Sequence, residues 1–289
     1  MIPIITSLQN PTIKNLVKLR QRRHRDKQGY FLIDGKHALY LALKNNFPVE
    51  TIFLRRTDSL SIHGQAGNLS YMGSDKILPL AQKQEIQLQP VSQAVFQKIG
   101  YGDNPDGILG LAPYMERQNL LCQPNQSLML QGLYIITEDL EKPGNLGAIL
   151  RSADGASVTG IIVCNSRTDI YNPNMVRASR GACFTVPIAQ ANTSEVIEWL
   201  NKNHVQILTT FPTATRPYFE VDMCSATAIV VGNEHHGLTD VWHDKASLVI
   251  PVCIPMMGQL NSLNVAQTAT IFMFEAVRQR KSYLDHQQN

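Results

Sequence analysis

The sequence predicts an α/β protein of two domains, and three observations carry that expectation. The chain has 289 residues, more than one ordinary domain holds. Its hydrophobic fraction of 44% is ample for packed cores, and a charged fraction of only 17% argues against extensive disorder. Short apolar runs alternate with amphipathic stretches along nearly the whole length, the pattern of strands separated by helices.

The first domain is expected over residues 1–112. Residues 12–28 read as one helix, with Ile13, Leu16, Val17 and Leu19 on its early turns and an almost wholly basic later half. YFLIDG (30–35) reads as a strand, HALYLALKNN (37–46) as a helix and VETIFLR (49–55) as a second strand. A helical SDKILPLAQKQ, a strandlike IQLQPV and a helical SQAVFQKI follow. ILGLAPY, after the NPDG turn, closes the unit. Residues 113–127, with Pro113, Pro124, Asn125 and Gln126, read as a connector.

The second domain, 128–289, repeats apolar strand, polar turn and amphipathic helix. Strands are expected at 129–136, 160–164, 205–209, 227–231 and 247–250, and helices at 146–156, 173–180, 194–203 and 264–281. Such alternation implies a largely parallel sheet covered on both faces.

Net charge is only +3, but Lys14, Lys18, Arg20, Arg22, Arg23, Arg25 and Lys27 crowd one stretch against a single acid, Asp26. That stretch is either a solvated helix face or a source of sequence-independent attraction for phosphates. The five cysteines are scattered without a CxxC pair, so neither a disulfide framework nor a zinc site is expected, and a reducing cytosol fits. No signal peptide is apparent at the N-terminus. The most apolar window, LVIPVCIPMM (248–257), is short and broken by Pro251 and Pro255, so a soluble, cytoplasmic protein is expected.

Three stretches of the second half exceed what a plain α/β domain needs. In KPGNLGAILRSADG (142–155), Asn145 stands where a helix N-cap belongs, with Leu146, Ile149, Leu150 and Ala153 as the buried stripe. Arg151 lies off that stripe, either a surface arginine or one that faces a site. In AIVVGNEHHGL (228–238) an apolar strand runs into Gly232 at its carboxyl end, where open α/β sheets bind ligands and a glycine admits close backbone approach. Glu234 follows. His235 and His236 are adjacent, share no helix face and lack HExxH spacing, so they read as exposed loop residues rather than metal ligands. In IPMMGQLNSLNVAQTATIFMFEAVRQR (254–280) a polar loop leads into a helix for which Ser262 and Asn264 are good caps. That helix carries an apolar surface wide enough either for a core helix or for burial on two sides, one against a partner subunit. No Walker A loop, GxGxxG fingerprint or GxSxG elbow is present.

NLGAILR, VGNEHHGL and IPMMGQLNSLNVA, in this order and at these distances, resemble the three motifs of the SpoU/TrmH family of RNA 2′-O-methyltransferases, within the SPOUT superfamily. NPNMVRASRGACFTVPI (172–188) also resembles that family, and the N-terminal half is similar to its ribosomal-protein-like substrate-binding domain. The resemblance implies a parallel-sheet catalytic domain with a trefoil knot, S-adenosylmethionine as cofactor, RNA as substrate and a homodimer formed through the C-terminal domain. It implies cofactor binding by Thr210, Gly232, Ile254, Met256 and Leu263. Catalytic or RNA-positioning work falls to Asn145, Arg151, Glu234, Ser262 and Asn264. If the basic stretch meets RNA, its charge makes Lys18, Arg22, Arg23 and Arg25 the expected phosphate contacts.

No metal is implied. Large-subunit rRNA is the expected substrate, with tRNA or a non-catalytic RNA-binding role as alternatives. Lys142 stands where many rRNA members have aspartate, and His235 where a small residue is common.

Overall fold

A computed structural model describes residues 2–56, 76–101, 106–115, 131–165 and 168–287. Contacts divide the chain into two units, residues 1–115 with 170–185, and 116–169 with 186–289. Most of the expected connector lies outside the described residues.

In the first unit, β1 (Tyr30–Asp34), β2 (Thr51–Arg55), β3 (Gln87–Val91) and β4 (Ile108–Pro113) form a mixed sheet in the order β1-β4-β2-β3. One face is covered by α1 (Pro11–Lys18) and α5 (Gln93–Ile99), whose Ile13, Leu16, Val95, Phe96 and Ile99 pack on Leu32, Phe53 and Leu109. α3 (Lys36–Lys44) and α4 (Ile77–Lys83) pack on one another, and α3 lies against β1 and β4.

The single helix expected over 12–28 is two. Asn10 caps α1, accepting from the Thr12 N–H, and α2 (Arg22–Gln28) begins after Gln21, whose ψ of 132° is extended. Arg25 explains how the break is tolerated. Its Nη1 donates to the carbonyls of Leu19 (2.7 Å) and Arg20 (2.9 Å), groups that the interruption leaves without a helical partner.

The second unit holds a six-stranded sheet, parallel throughout, in the order β10-β8-β9-β5-β6-β7. Its strands are β5 (Leu133–Glu138), β6 (Gly160–Cys164), β7 (Ile188–Ala191), β8 (Gln206–Thr210), β9 (Thr227–Val231) and β10 (Val249–Val252). β7 was not expected, because IAQA is too short and too polar to register as an apolar run. α6 (Pro143–Gly155) and α10 (Val265–Gln287) pack on each other and against the central strands, while α8 (Thr193–Lys202) and the short α9 (Val241–Lys245) pack together in a cluster centred on Trp242.

The segment 170–185 was expected to belong wholly to the second domain, but it contacts the first unit instead. Its helix α7 (Pro173–Ser179) packs on β1, and Tyr171 stacks on Tyr114 at 4.3 Å and lies tilted against Phe31 at 4.5 Å. Phe184 closes the aromatic cluster against Phe47. These rings are far apart in sequence, so periodicity alone does not reveal their meeting. No helix among the described residues is long and apolar enough to cross a membrane.

Candidate active site

The carboxyl ends of β8, β9 and β10 and the first turns of α10 surround a cavity of about 680 Å3, in the size range of sites that hold a cofactor-sized molecule. Thr210, Gly232, Ile254, Met256 and Leu263 all line it. Apolar walls come from Val231, Val252 and Phe272, and the polar rim includes Glu234, Ser262, Asn264 and Lys142. Apolar walls with a few convergent polar groups suit a nucleoside joined to an amino-acid tail.

Gly232 is required here for a reason other than the one its sequence position suggests. A Cβ on it would lie 2.4 Å from the backbone C and O of Gly237 and 2.7 Å from Leu238 N. The close approach is therefore between two stretches of the protein's own chain. Asn233, buried beside it, shapes the same loop. Its Oδ1 accepts from the N–H groups of His235 (2.8 Å) and His236 (3.1 Å), and its Nδ2 donates to the Asp139 carbonyl (2.9 Å). Glu138, buried at the end of β5, holds the loop's far side by accepting from the Thr239 N–H (2.9 Å) and hydroxyl (3.0 Å) and from the Thr193 hydroxyl (2.7 Å). Neither residue was expected. A carboxylate ending an apolar strand, as in YIITED, is the signal that could have found Glu138.

Asn145 is not the N-cap of its helix. Pro143 occupies the first helical position, where its missing N–H costs nothing, so α6 starts earlier and Asn145 falls in the first turn. Its side chain is thereby free to join the other two motifs. Asn264 Oδ1 accepts from the Ala266 N–H (2.9 Å), which leaves its Nδ2 to donate to Asn145 Oδ1 (3.2 Å). Asn145 Nδ2 then donates to Glu234 Oε1 (2.5 Å). The chain runs one way, so the backbone N–H at the start of α10 fixes the orientation of both amides. Glu234 Oε2 is buried without a hydrogen-bond partner among the described residues, an acceptor left at the edge of the pocket.

Two expected residues lie elsewhere. Arg151 is exposed on α6 and does not line the pocket of its own chain. Arg25 is 1% exposed with its guanidinium committed to backbone carbonyls, so it is removed from the set expected to touch RNA. Lys18, Arg22 and Arg23 are exposed, Arg22 beside Asp26 at 3.5 Å.

Residues 132–274 match the SpoU rRNA methylase family, and residues 10–110 match an MRM3-like substrate binding domain. An uncharacterised tRNA/rRNA methyltransferase of Synechocystis is 30% identical over 96% of this chain and 95% of its own.

The chain belongs to the SpoU rRNA methylase family.

It is an S-adenosylmethionine-dependent RNA 2′-O-ribose methyltransferase on the SPOUT-type α/β fold. The 23S rRNA (uridine(2479)-2′-O)-methyltransferase of Streptomyces viridochromogenes is 28% identical over 91% of this chain and 88% of that one. The AdoMet-bound rRNA methyltransferase of Sinorhizobium meliloti superposes with a TM-score of 0.80 at 28% identity, over 96% of this chain and 98% of its own.

Proposed function

We propose that this SpoU methyltransferase modifies a ribose of large-subunit rRNA, in the cytoplasm and as a homodimer. The observation that carries the site is the relay from Ala266 N–H through Asn264 and Asn145 to Glu234, which ties three distant motifs together at the mouth of one pocket. The rRNA preference rests on relatives named for 23S rRNA and on the front domain's match to a substrate-binding module.

When bound, S-adenosylmethionine supplies an electrophilic methyl group. Gly232, Ile254 and Leu263 would hold it by backbone and apolar contact, with Thr210 and Met256 at its sides. A trefoil knot, formed where the C-terminal segment passes through a loop, would make that wall rigid, and rigidity is what alignment of a poor oxygen nucleophile requires.

Arg151 is the residue assigned to the ribose hydroxyl. A guanidinium is effectively never deprotonated in proteins, so it serves as a clamp on an RNA phosphate and the developing alkoxide while phosphate or water takes the proton. Its exposed position outside its own pocket fits a site completed by a second copy, as does the exposure of Phe274 on α10. The test is Arg151→Ala, which is expected to abolish turnover with cofactor affinity nearly intact. Methylation retained above about a tenth of wild type would sink the assignment.

A further inference from the structure

The first unit has a cavity of its own that the catalytic pocket does not explain. It lies where β1 ends and measures about 180 Å3, below the roughly 300–1,000 Å3 of sites that enclose a cofactor. Asp34 and Tyr101 line it together with Asp106, His37, Arg177 and Arg180. Asp34 is buried, and its Oδ2 accepts from the Tyr101 N–H (2.9 Å), which leaves Oδ1 as an acceptor. Burial raises its pKa above the usual carboxylate value, partly offset by the Tyr101 N–H hydrogen bond and then by the nearby Arg177 charge. The Tyr101 hydroxyl is buried without a partner among the described residues.

Both arginines come from the 170–185 segment. Arg177 sits in the last turn of α7, and Arg180 takes a left-handed φ of 51° just before Gly181, whose φ is 93°. A Cβ on Gly181 would fall 2.8 Å from the Ala38 Cα, so the segment turns tightly over α3. Neither guanidinium makes a hydrogen bond or an ion pair within 4 Å with any described residue, and both are exposed. A small cavity lined by the buried Asp34 carboxylate, by Tyr101 and by two guanidiniums without a hydrogen bond among the described residues matches how single-stranded RNA is held. There, splayed bases enter pockets while phosphates or base faces meet arginine.

We propose that this cavity binds one unpaired nucleotide of the RNA substrate, its base inside against Asp34 and Tyr101 and its phosphates on Arg177 and Arg180. Asp34 then selects a base that presents an amino or imino N–H. The proposal rests on the RNA methyltransferase reading, and the two fail differently. Absence of label transfer from wild-type protein to any RNA refutes that reading, whereas the cavity is tested by variants of an active enzyme.

The experiment measures equilibrium binding of an unmodified 23S rRNA transcript by the full chain between 50 and 200 mM salt, for wild type and for Arg177→Gln with Arg180→Asn. Asparagine tolerates the left-handed backbone at 180. Affinity is expected to fall tenfold or more. The slope of log K against log salt should drop by about 1 for each arginine, with S-adenosylmethionine affinity unchanged. Binding within twofold of wild type at an unchanged slope, by a variant that still binds cofactor, overturns the proposal. Should the double variant fail to fold, Arg177→Gln alone is judged by the same criterion with a slope change of about 1. Asp34→Asn keeps an acceptor for Tyr101 but turns donors toward the base. It is expected to raise KM for the RNA at least threefold with kcat and the salt slope unchanged, and an unaltered KM overturns the placement of the base.

Discussion

In Gly232→Ala the new methyl group would enter the backbone of Gly237 and Leu238, at 2.4 and 2.7 Å. Non-bonded carbon contacts are comfortable at about 3.5–4.0 Å, so the 233–238 loop must retreat by about 1 Å. The obstacle is main chain, which cannot rotate away as a side chain would. Asn233 ties the loop to Asp139 and Glu138 ties it to Thr239, so retreat also strains buried hydrogen bonds. Overpacking of this kind costs about 1–3 kcal/mol, which becomes a roughly five- to 140-fold loss of cofactor affinity where the loop walls the pocket. Gly258 is the internal control. It belongs to the other loop facing the pocket, and a Cβ there meets nothing within 4 Å. Isothermal titration with S-adenosylmethionine should therefore show Gly232→Ala weakened at least fivefold and Gly258→Ala within twofold of wild type. Equal affinity for wild type and Gly232→Ala would refute the argument that this close approach shapes the pocket.

Further outcomes follow from the same contacts. Asn145→Ala removes the middle of the relay, leaving Glu234 Oε1 without its donor. It should reduce kcat by tenfold or more while the protein stays folded, and steady-state kinetics with near-normal kcat would count against the relay. Arg25→Ala leaves the Leu19 and Arg20 carbonyls unsatisfied, at a cost on the order of 2–3 kcal/mol. Denaturant titration checks this, and a loss of RNA affinity without a loss of stability would restore Arg25 to the RNA surface. Because burial raises the folded pKa of Asp34, the fold favours its neutral form. That contribution is complete below the unfolded value of about 3.9 and is lost as pH rises through the folded value. Asp34→Asn should accordingly unfold at a higher Tm than wild type at pH 7, with the advantage shrinking on acidification. A pH-independent difference in melting temperature would contradict the sign.

Much of this molecule is legible in its sequence because period and punctuation are local. The apolar runs at 30–35, 160–164 and 227–231 are strands within a residue or so of expectation, and the helix at 264–281 extends only somewhat further. The five residues assigned to the cofactor line one pocket because strand ends and the loops after them share one edge of a parallel sheet. What escaped depends on long-range partners. Asn145 moved from cap to relay because Pro143 starts the helix earlier, which spacing alone underweights. Arg25 looks like its basic neighbours until its carbonyl partners are seen. The attachment of 170–185 to the first unit rests on Tyr171 and Phe184 meeting Phe31, Tyr114 and Phe47, rings that no window of sequence brings together.

The most direct measurement is incubation of the protein with methyl-labelled S-adenosylmethionine and either unmodified 23S rRNA or total unmodified tRNA, followed by digestion to nucleosides and mapping of the label. The account predicts label in a single 2′-O-methylnucleoside of the 23S rRNA. Label on a base, label confined to tRNA, or no label in either RNA would contradict it.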